Sequence, residues 1–143
     1  MDNTKYKNKR KFKRFQKFFY GLYKRFHQKF FGMQHSIYWQ NYDHIHIGEP
    51  VHIAPGVSLI AANHDVYDID KHEKFEDIII EDYSWIGANA TILPGVHLGP
   101  HTIVGAGSVV TKSFPEGYCV IAGNPATIIR NIEPEKCKEN QRN

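Results

Sequence analysis

Aliphatic residues recur every six positions through the second half of the chain. Ile80, Ile86, Ile92, Leu98, Val104 and Val110 form an unbroken series. The fifth place of each hexad is small or β-branched: Ser84, Ala90, Val96, Thr102 and Ser108. Glycine often takes the second place, as at Gly87, Gly99 and Gly105. The same register occurs earlier, at Ile47-Gly48, Ile53-Ala54 and Leu59, with Val51 and Val57 in fifth places. A half-buried strand has period two and a helix period 3.6, so period six fits neither alone. It fits very short strands separated by turns, each strand giving one large side chain to the interior. Stacked turns of this kind form a solenoid. Small fifth-place residues suit tight bends, and glycine relieves crowding at corners. Sandwich strands recur at wider spacing, about 8–12 residues, which disfavours an ordinary β-sandwich.

A different pattern occupies the N-terminus. Apolar positions 12, 15, 19, 22, 26 and 30 step by three or four residues, which predicts one face of an amphipathic helix. Residues 1–31 carry 11 of the 18 Lys+Arg and only Asp2 among the acids, for a charge of +10. Residues 32–143 hold 7 Lys+Arg and 14 Asp+Glu, for −7. The chain is therefore read as a basic aromatic arm (1–40), an acidic repeat body (41–132) and a short tail (133–143). Residues 5–31 admit docking on the body or a neighbouring subunit, or adsorption to an anionic membrane surface. Nucleic-acid binding is the least favoured of the three readings, and no nucleic-acid partner is expected. The arm lacks the unbroken apolar stretch of a secretory signal. No apolar run approaches the ~18–20 residues of a membrane-spanning helix. Cys119 and Cys137 form neither a metal spacing nor a disulfide framework, and a reducing compartment is the default.

The hexads resemble the hexapeptide-repeat acyltransferases over roughly residues 41–132. The resemblance rests on Trp85-Ile86-Gly87-Ala88-Asn89-Ala90, Leu93-Pro94-Gly95-Val96, Gly105-Ala106-Gly107-Ser108-Val109-Val110-Thr111-Lys112 and Ala122-Gly123-Asn124-Pro125-Ala126. The branch it most resembles O-acetylates sugars, including maltose, galactosides and surface polysaccharides. The implied fold is mainly β: a left-handed parallel β-helix, preceded here by the basic amphipathic helix. The implied assembly is a homotrimer with active sites between subunits. The implied location is cytoplasmic, peripheral at the inner membrane face if the arm meets lipid.

The register breaks once. Leu59 and Ile80 are 21 residues apart, which is 15 more than one hexad. The insertion, about 62–76, is polar and acidic, and loops on rigid scaffolds often carry function. His64 opens it, followed by Asp65. Histidine is the natural general base near neutral pH, and the resemblance assigns His64 that role. His72, deeper in the loop, is the runner-up. His44, His46, His52, His97 and His101 lie among the repeats and are read as facing outward, and Trp85 as structural, near the coil surface. Asp65 and Asp43 are candidate partners for fixing the His64 tautomer, and a backbone carbonyl would serve equally. Histidine and acid spacings match no strong zinc pattern, so no metal is expected.

The resemblance also implies acetyl-CoA as cosubstrate. It places Ala88 at the oxyanion-stabilising N–H and matches Thr111 and Lys112 to positions that contact coenzyme A, while the small residues Gly105 and Ala106 suit close backbone approach by the pantetheine arm. Arg130 matches a phosphate-binding position, while Thr127 stands where relatives often carry a second basic residue. Phe114 to Gly117 reads as a turn leaving the last full hexad. The leading activity is O-acetyl transfer to a saccharide hydroxyl, with a surface-polysaccharide precursor as one acceptor. Serine, amino-sugar and antibiotic acetylation are alternatives on the same fold. Carbonic anhydrase-like and scaffold readings lie outside the transferases.

Overall fold

A computed structural model describes residues 37–137. The short strands expected from the hexads form three parallel stacks, visited in rotation. The first sheet contains β1 (Tyr38–Gln40), β4 (Ser58–Ile60), β7 (Thr91–Ile92) and β10 (Val109–Val110). The second contains β2 (Ile45–Ile47), β5 (Ile78–Ile80) and β8 (His97–Leu98). The third contains β3 (His52–Ile53), β6 (Trp85–Ile86), β9 (Thr102–Val104), β11 (Cys119–Gly123) and β12 (Ala126–Asn131). Three hexads thus make one coil. Ile92 pairs with Val110, Ile80 with Leu98 and Ile86 with Val104, each partner 18 residues onward. Tyr38–Gln40, expected within the arm, instead forms β1 and pairs with β4, so the repeat body begins before residue 41. The helix expected in the arm lies outside the described residues.

The periodic aliphatics point into the coil. Ile80, Ile86, Ile92, Leu98, Val104 and Val110 are all at most 1% exposed. Burying an aliphatic side chain of this size stabilises the fold by about 1.5–3 kcal/mol. Fifth-place residues are buried too, and the polar ones satisfy the bends. Thr102 donates through its hydroxyl to the Gly99 carbonyl (2.7 Å), and its amide donates to Ser84 Oγ (3.3 Å). Ser108 Oγ accepts from Gly123 N (3.2 Å). A buried hydroxyl without such partners would destabilise the coil.

The turns from the third sheet to the first stack as Ala54-Pro55-Gly56, Gly87-Ala88-Asn89 and Gly105-Ala106-Gly107. A Cβ on Gly87 would stand 2.6 Å from the Ala106 amide nitrogen of the next coil, which is why the second hexad place must be glycine there.

The fourth coil departs from strict periodicity. Phe114, expected to begin an exit turn, is 8% exposed and forms a parallel bridge to Leu98. It supplies the second-sheet rung of that coil, and the turn follows it. The last strand is also not parallel: β12 folds back antiparallel on β11. This hairpin closes the stack with local hydrogen bonds.

Candidate active site

The inserted loop leaves the coil between β4 and β5, at the turn from the first sheet to the second. It does not disturb the stacking, because Ile47 still pairs with Ile80 and Leu59 with Ile92 across it. Its two arms run antiparallel. Asp65 N donates to the Lys71 carbonyl, Glu73 N to the Asn63 carbonyl and Glu76 N to the Ala61 carbonyl, all at 2.9 Å. An isolated antiparallel bridge joins His64 to His72. At the base, Ala62 N donates to Gln40 Oε1 of β1 at 3.2 Å.

Asp65 organises the tip. Its carboxylate accepts the Tyr67 and Asp68 amides at 2.7 and 3.0 Å, which is how an aspartate folds a turn on itself. Lys71 Nζ reaches Asp68 at 2.7 Å. Lys71 is largely exposed and Asp68 partly so, and this ion pair adds little stability.

His64 is exposed, and its Nδ1 lies 2.7 Å from the Ile69 carbonyl oxygen. A carbonyl can only accept, so Nδ1 carries the proton in this hydrogen bond. The neutral ring then presents its lone pair at Nε2. Of the options left open by the sequence, the backbone carbonyl therefore fixes the tautomer. The Asp65 carboxylate is turned toward its own loop backbone. Asp43 lies on the short 3-10 turn Tyr42–His44, ahead of β2.

Rings and carboxylates brace the returning arm. The His72 ring centroid is 4.3 Å from that of His64, with the planes 38° apart. Phe75 lies 6.5 Å beyond His72, and His44 stacks on Phe75 at 5.3 Å. Asp77, at the end of the loop, meets His44 Nδ1 at 2.7 Å and His46 Nε2 at 3.1 Å. Partial burial pulls the Asp77 carboxyl upward, but hydrogen bonds and charge from the two histidines outweigh it and leave its pKa below the usual aspartate value. Of the outward-facing repeat histidines, His97 pairs with Glu81 at 2.5 Å, and His101 stacks between Tyr83 and Tyr118 at 4.8 and 5.0 Å. Trp85 is 53% exposed on the outer face of the third sheet. Among the described residues, no group of three or more His, Cys, Asp and Glu is arranged to hold a metal ion.

The other predicted site residues fall into three places. Ala88, Gly105 and Ala106 share the turn from the third sheet to the first. Ala88 accepts from Gly107 N through its carbonyl at 2.8 Å. Small residues form a strip along this corner, which is open at Gly107, where a Cβ would meet nothing within 4 Å. Thr111 and Lys112 are exposed at the end of β10, with Lys112 Nζ 5.7 Å from the Phe114 ring centroid. Arg130 is exposed on β12, paired with Val120. Within one chain, the His64 loop and the small-residue strip therefore stand at opposite ends of the first-sheet strands.

Residues 77–112 match the family described as bacterial transferase hexapeptide (six repeats). Galactoside O-acetyltransferase of Escherichia coli is 40% identical over 89 residues, covering 60% of this chain and 43% of that protein. A maltose O-acetyltransferase structure from Clostridium difficile superposes with a TM-score of 0.58 at 39% identity, covering 62% of this chain and 49% of the other. A galactoside acetyltransferase solved with coenzyme A superposes with a TM-score of 0.57 at 30% identity, covering 69% and 60%. The chain spans about half the length of the curated relatives it matches.

Two elements of this site are not legible in the sequence. The Ile69 carbonyl was invisible because every residue has one and only the loop's path selects it. His72 was weighed as a rival base and not as a neighbour of His64. The 62–76 hairpin that makes them neighbours has few of the strong turn dipeptides that signal a hairpin.

Proposed function

We propose that this chain is an acetyl-CoA-dependent O-acetyltransferase that acts on a saccharide hydroxyl, with His64 as general base. One observation carries the reading: the Ile69 carbonyl holds the Nδ1 proton, so the exposed Nε2 is the basic atom of a histidine placed where the repeat breaks. Coenzyme A would supply the acetyl group as an activated thioester. Nε2 takes the acceptor's hydroxyl proton as the oxygen bonds to the acetyl carbon. The carbon–sulfur bond breaks, and the proton on His64 passes to the departing thiolate. The Ala88 N–H is the donor we assign to the developing oxyanion, and such a donor contributes most when it is fixed in advance. Gly105 and Ala106 let the pantetheine amides approach the backbone. Thr111, Lys112 and Arg130 complete the coenzyme track.

His64 and the strip of Ala88, Gly105 and Ala106 stand at different corners of one coil, which supports a site built from two chains. The assembly we propose is a homotrimer of left-handed β-helices, in which His64 of one subunit faces the small-residue strip of the next. Asp65 shapes the loop, and the loop's other acids would meet acceptor hydroxyls. The basic arm, 5–31, would hold the enzyme at an anionic cytoplasmic membrane face, where a lipid-linked surface-polysaccharide precursor is the acceptor. Retained liposome binding after removal of residues 1–31 would sink that last assignment. No described helix is long and apolar enough to cross a membrane.

The test is calorimetric titration of acetyl-CoA into the full chain and into His64→Ala, followed by thioester cleavage with saccharides, serine and amino-sugars. Binding by both proteins, with acceptor-dependent cleavage by the wild type alone, supports the reading, and the productive acceptor separates sugar from serine or amine transfer. Absence of binding to the wild type overturns it in favour of a carbonic anhydrase-like or scaffold role.

A further inference from the structure

We propose that His72 is a positioning residue, whose ring forms the wall that keeps the His64 imidazole in its Nδ1–H tautomer with Nε2 turned outward. The inference rests on the reading of His64 as base. An exposed histidine held by a single hydrogen bond should swing about its side-chain torsions and exchange tautomers. Here a second restraint exists. The backbone bridge places His72 directly across from His64, and the neighbouring hydrogen bonds Asp65–Lys71 and Asn63–Glu73 lock that register on both sides. The His72 ring then lies 4.3 Å from the His64 ring, within contact distance for two aromatic faces.

The wall is itself supported. Phe75 stands behind His72, His44 stacks on Phe75 at 14° between planes, and Asp77 holds His44. The succession Asp77, His44, Phe75, His72, His64 runs from the coil to the basic atom through ring contacts. Its members come from the first coil's 3-10 turn and from both arms of the loop with the residue that follows it. The mobile part of a base's environment is thereby tied to the rigid repeat. A flat ring at 72 is what this role requires. A second ionisable group is not, so phenylalanine should substitute for His72 where alanine cannot.

The experiment uses the full-length 15N-labelled protein and long-range proton–nitrogen spectra of the imidazoles, assigned with His64→Ala. In the wild type, His64 should show a protonated Nδ1 and an unprotonated Nε2. His72→Ala should displace the His64 ring signals and mix the tautomers. It should also lower kcat about 10- to 100-fold, with KM for acetyl-CoA within about twofold, as misorientation of a catalytic group does. His72→Phe should restore both the spectrum and most of kcat. His72→Leu keeps bulk without a flat ring and controls for loop collapse: with the Asp65 and Glu73 amides still protected, its His64 signals should resemble those of His72→Ala. An unchanged His64 spectrum in His72→Ala overturns the inference, as does failure of His72→Phe to restore it. If the spectra behave as expected but no acceptor is ever acetylated, the ring wall stands and the proposed reaction fails.

Discussion

The coil and the loop that interrupts it are held by different forces. In the coil, the inward residue of every hexad from Ile80 to Val110 is essentially without solvent contact, and each coil repeats the contacts of the last. In the loop, Val66, Tyr67 and Ile69 are 78%, 96% and 76% exposed, and order comes from backbone hydrogen bonds, the Asp65 turn and ring contacts. Burial makes the coil stiff and tolerant of changes on its surface. Hydrogen bonding makes the loop specific but locally weak, as segments with few buried apolar contacts are. The difference suits the insertion to the base we propose there. A repeat position has one inward and one outward option, whereas the loop can aim a chosen atom.

Four changes separate the two regions. The largest effect should come from His64→Ala: acetyl transfer falls by roughly 10²–10⁴-fold, the usual contribution of a general base, while the unfolding midpoint and acetyl-CoA affinity stay at wild-type values. Steady-state kinetics beside a urea titration reads both. Ile92→Ala should do the reverse. Ile92 is fully buried between Leu59 and Val110, and its truncation should remove about 2–5 kcal/mol of stability in chemical denaturation, with turnover per folded molecule preserved. Equal losses of turnover from the two variants would erase the distinction between scaffold and loop.

Gly87→Ala should be milder but should touch both properties. The added methyl meets the Ala106 amide nitrogen at 2.6 Å, so the next coil must shift. A cost of about 1–3 kcal/mol is expected, together with weaker acetyl-CoA binding by calorimetry. Asp77→Asn should give the smallest effect. The Asp77 carboxyl is held below its usual value of 3.8, so it adds stability above that pH and loses it as pH falls through the lower folded value. Its side chain is 44% exposed, which limits the gain to under about 1 kcal/mol. Urea midpoints of wild type and variant should therefore differ near pH 5 and converge as the pH drops below about 4.

The coil was legible because its physics is local and repeated. A large aliphatic every six residues, a small fifth-place residue and glycine at the corner state one unit's requirements, and stacking multiplies the signal. Even the insertion was legible, as a break in phase at Leu59 to Ile80. The fourth coil was less so: Phe114 fills a rung 16 residues after Leu98, where the strict period asks for 18, and an aromatic is large enough to reach the core from there. β12 was also hidden, since an antiparallel return carries no hexad.

By itself the sequence determined the periodic core, the place where it is interrupted and the histidine that stands there, because side-chain size and spacing act through nearest neighbours. Only the tertiary structure decided what surrounds that histidine. The Ile69 carbonyl, the His72 ring and the Asp77 anchor come from positions whose separation in sequence says nothing about distance. They meet because the backbone of the insertion closes on itself above a coil that cannot move.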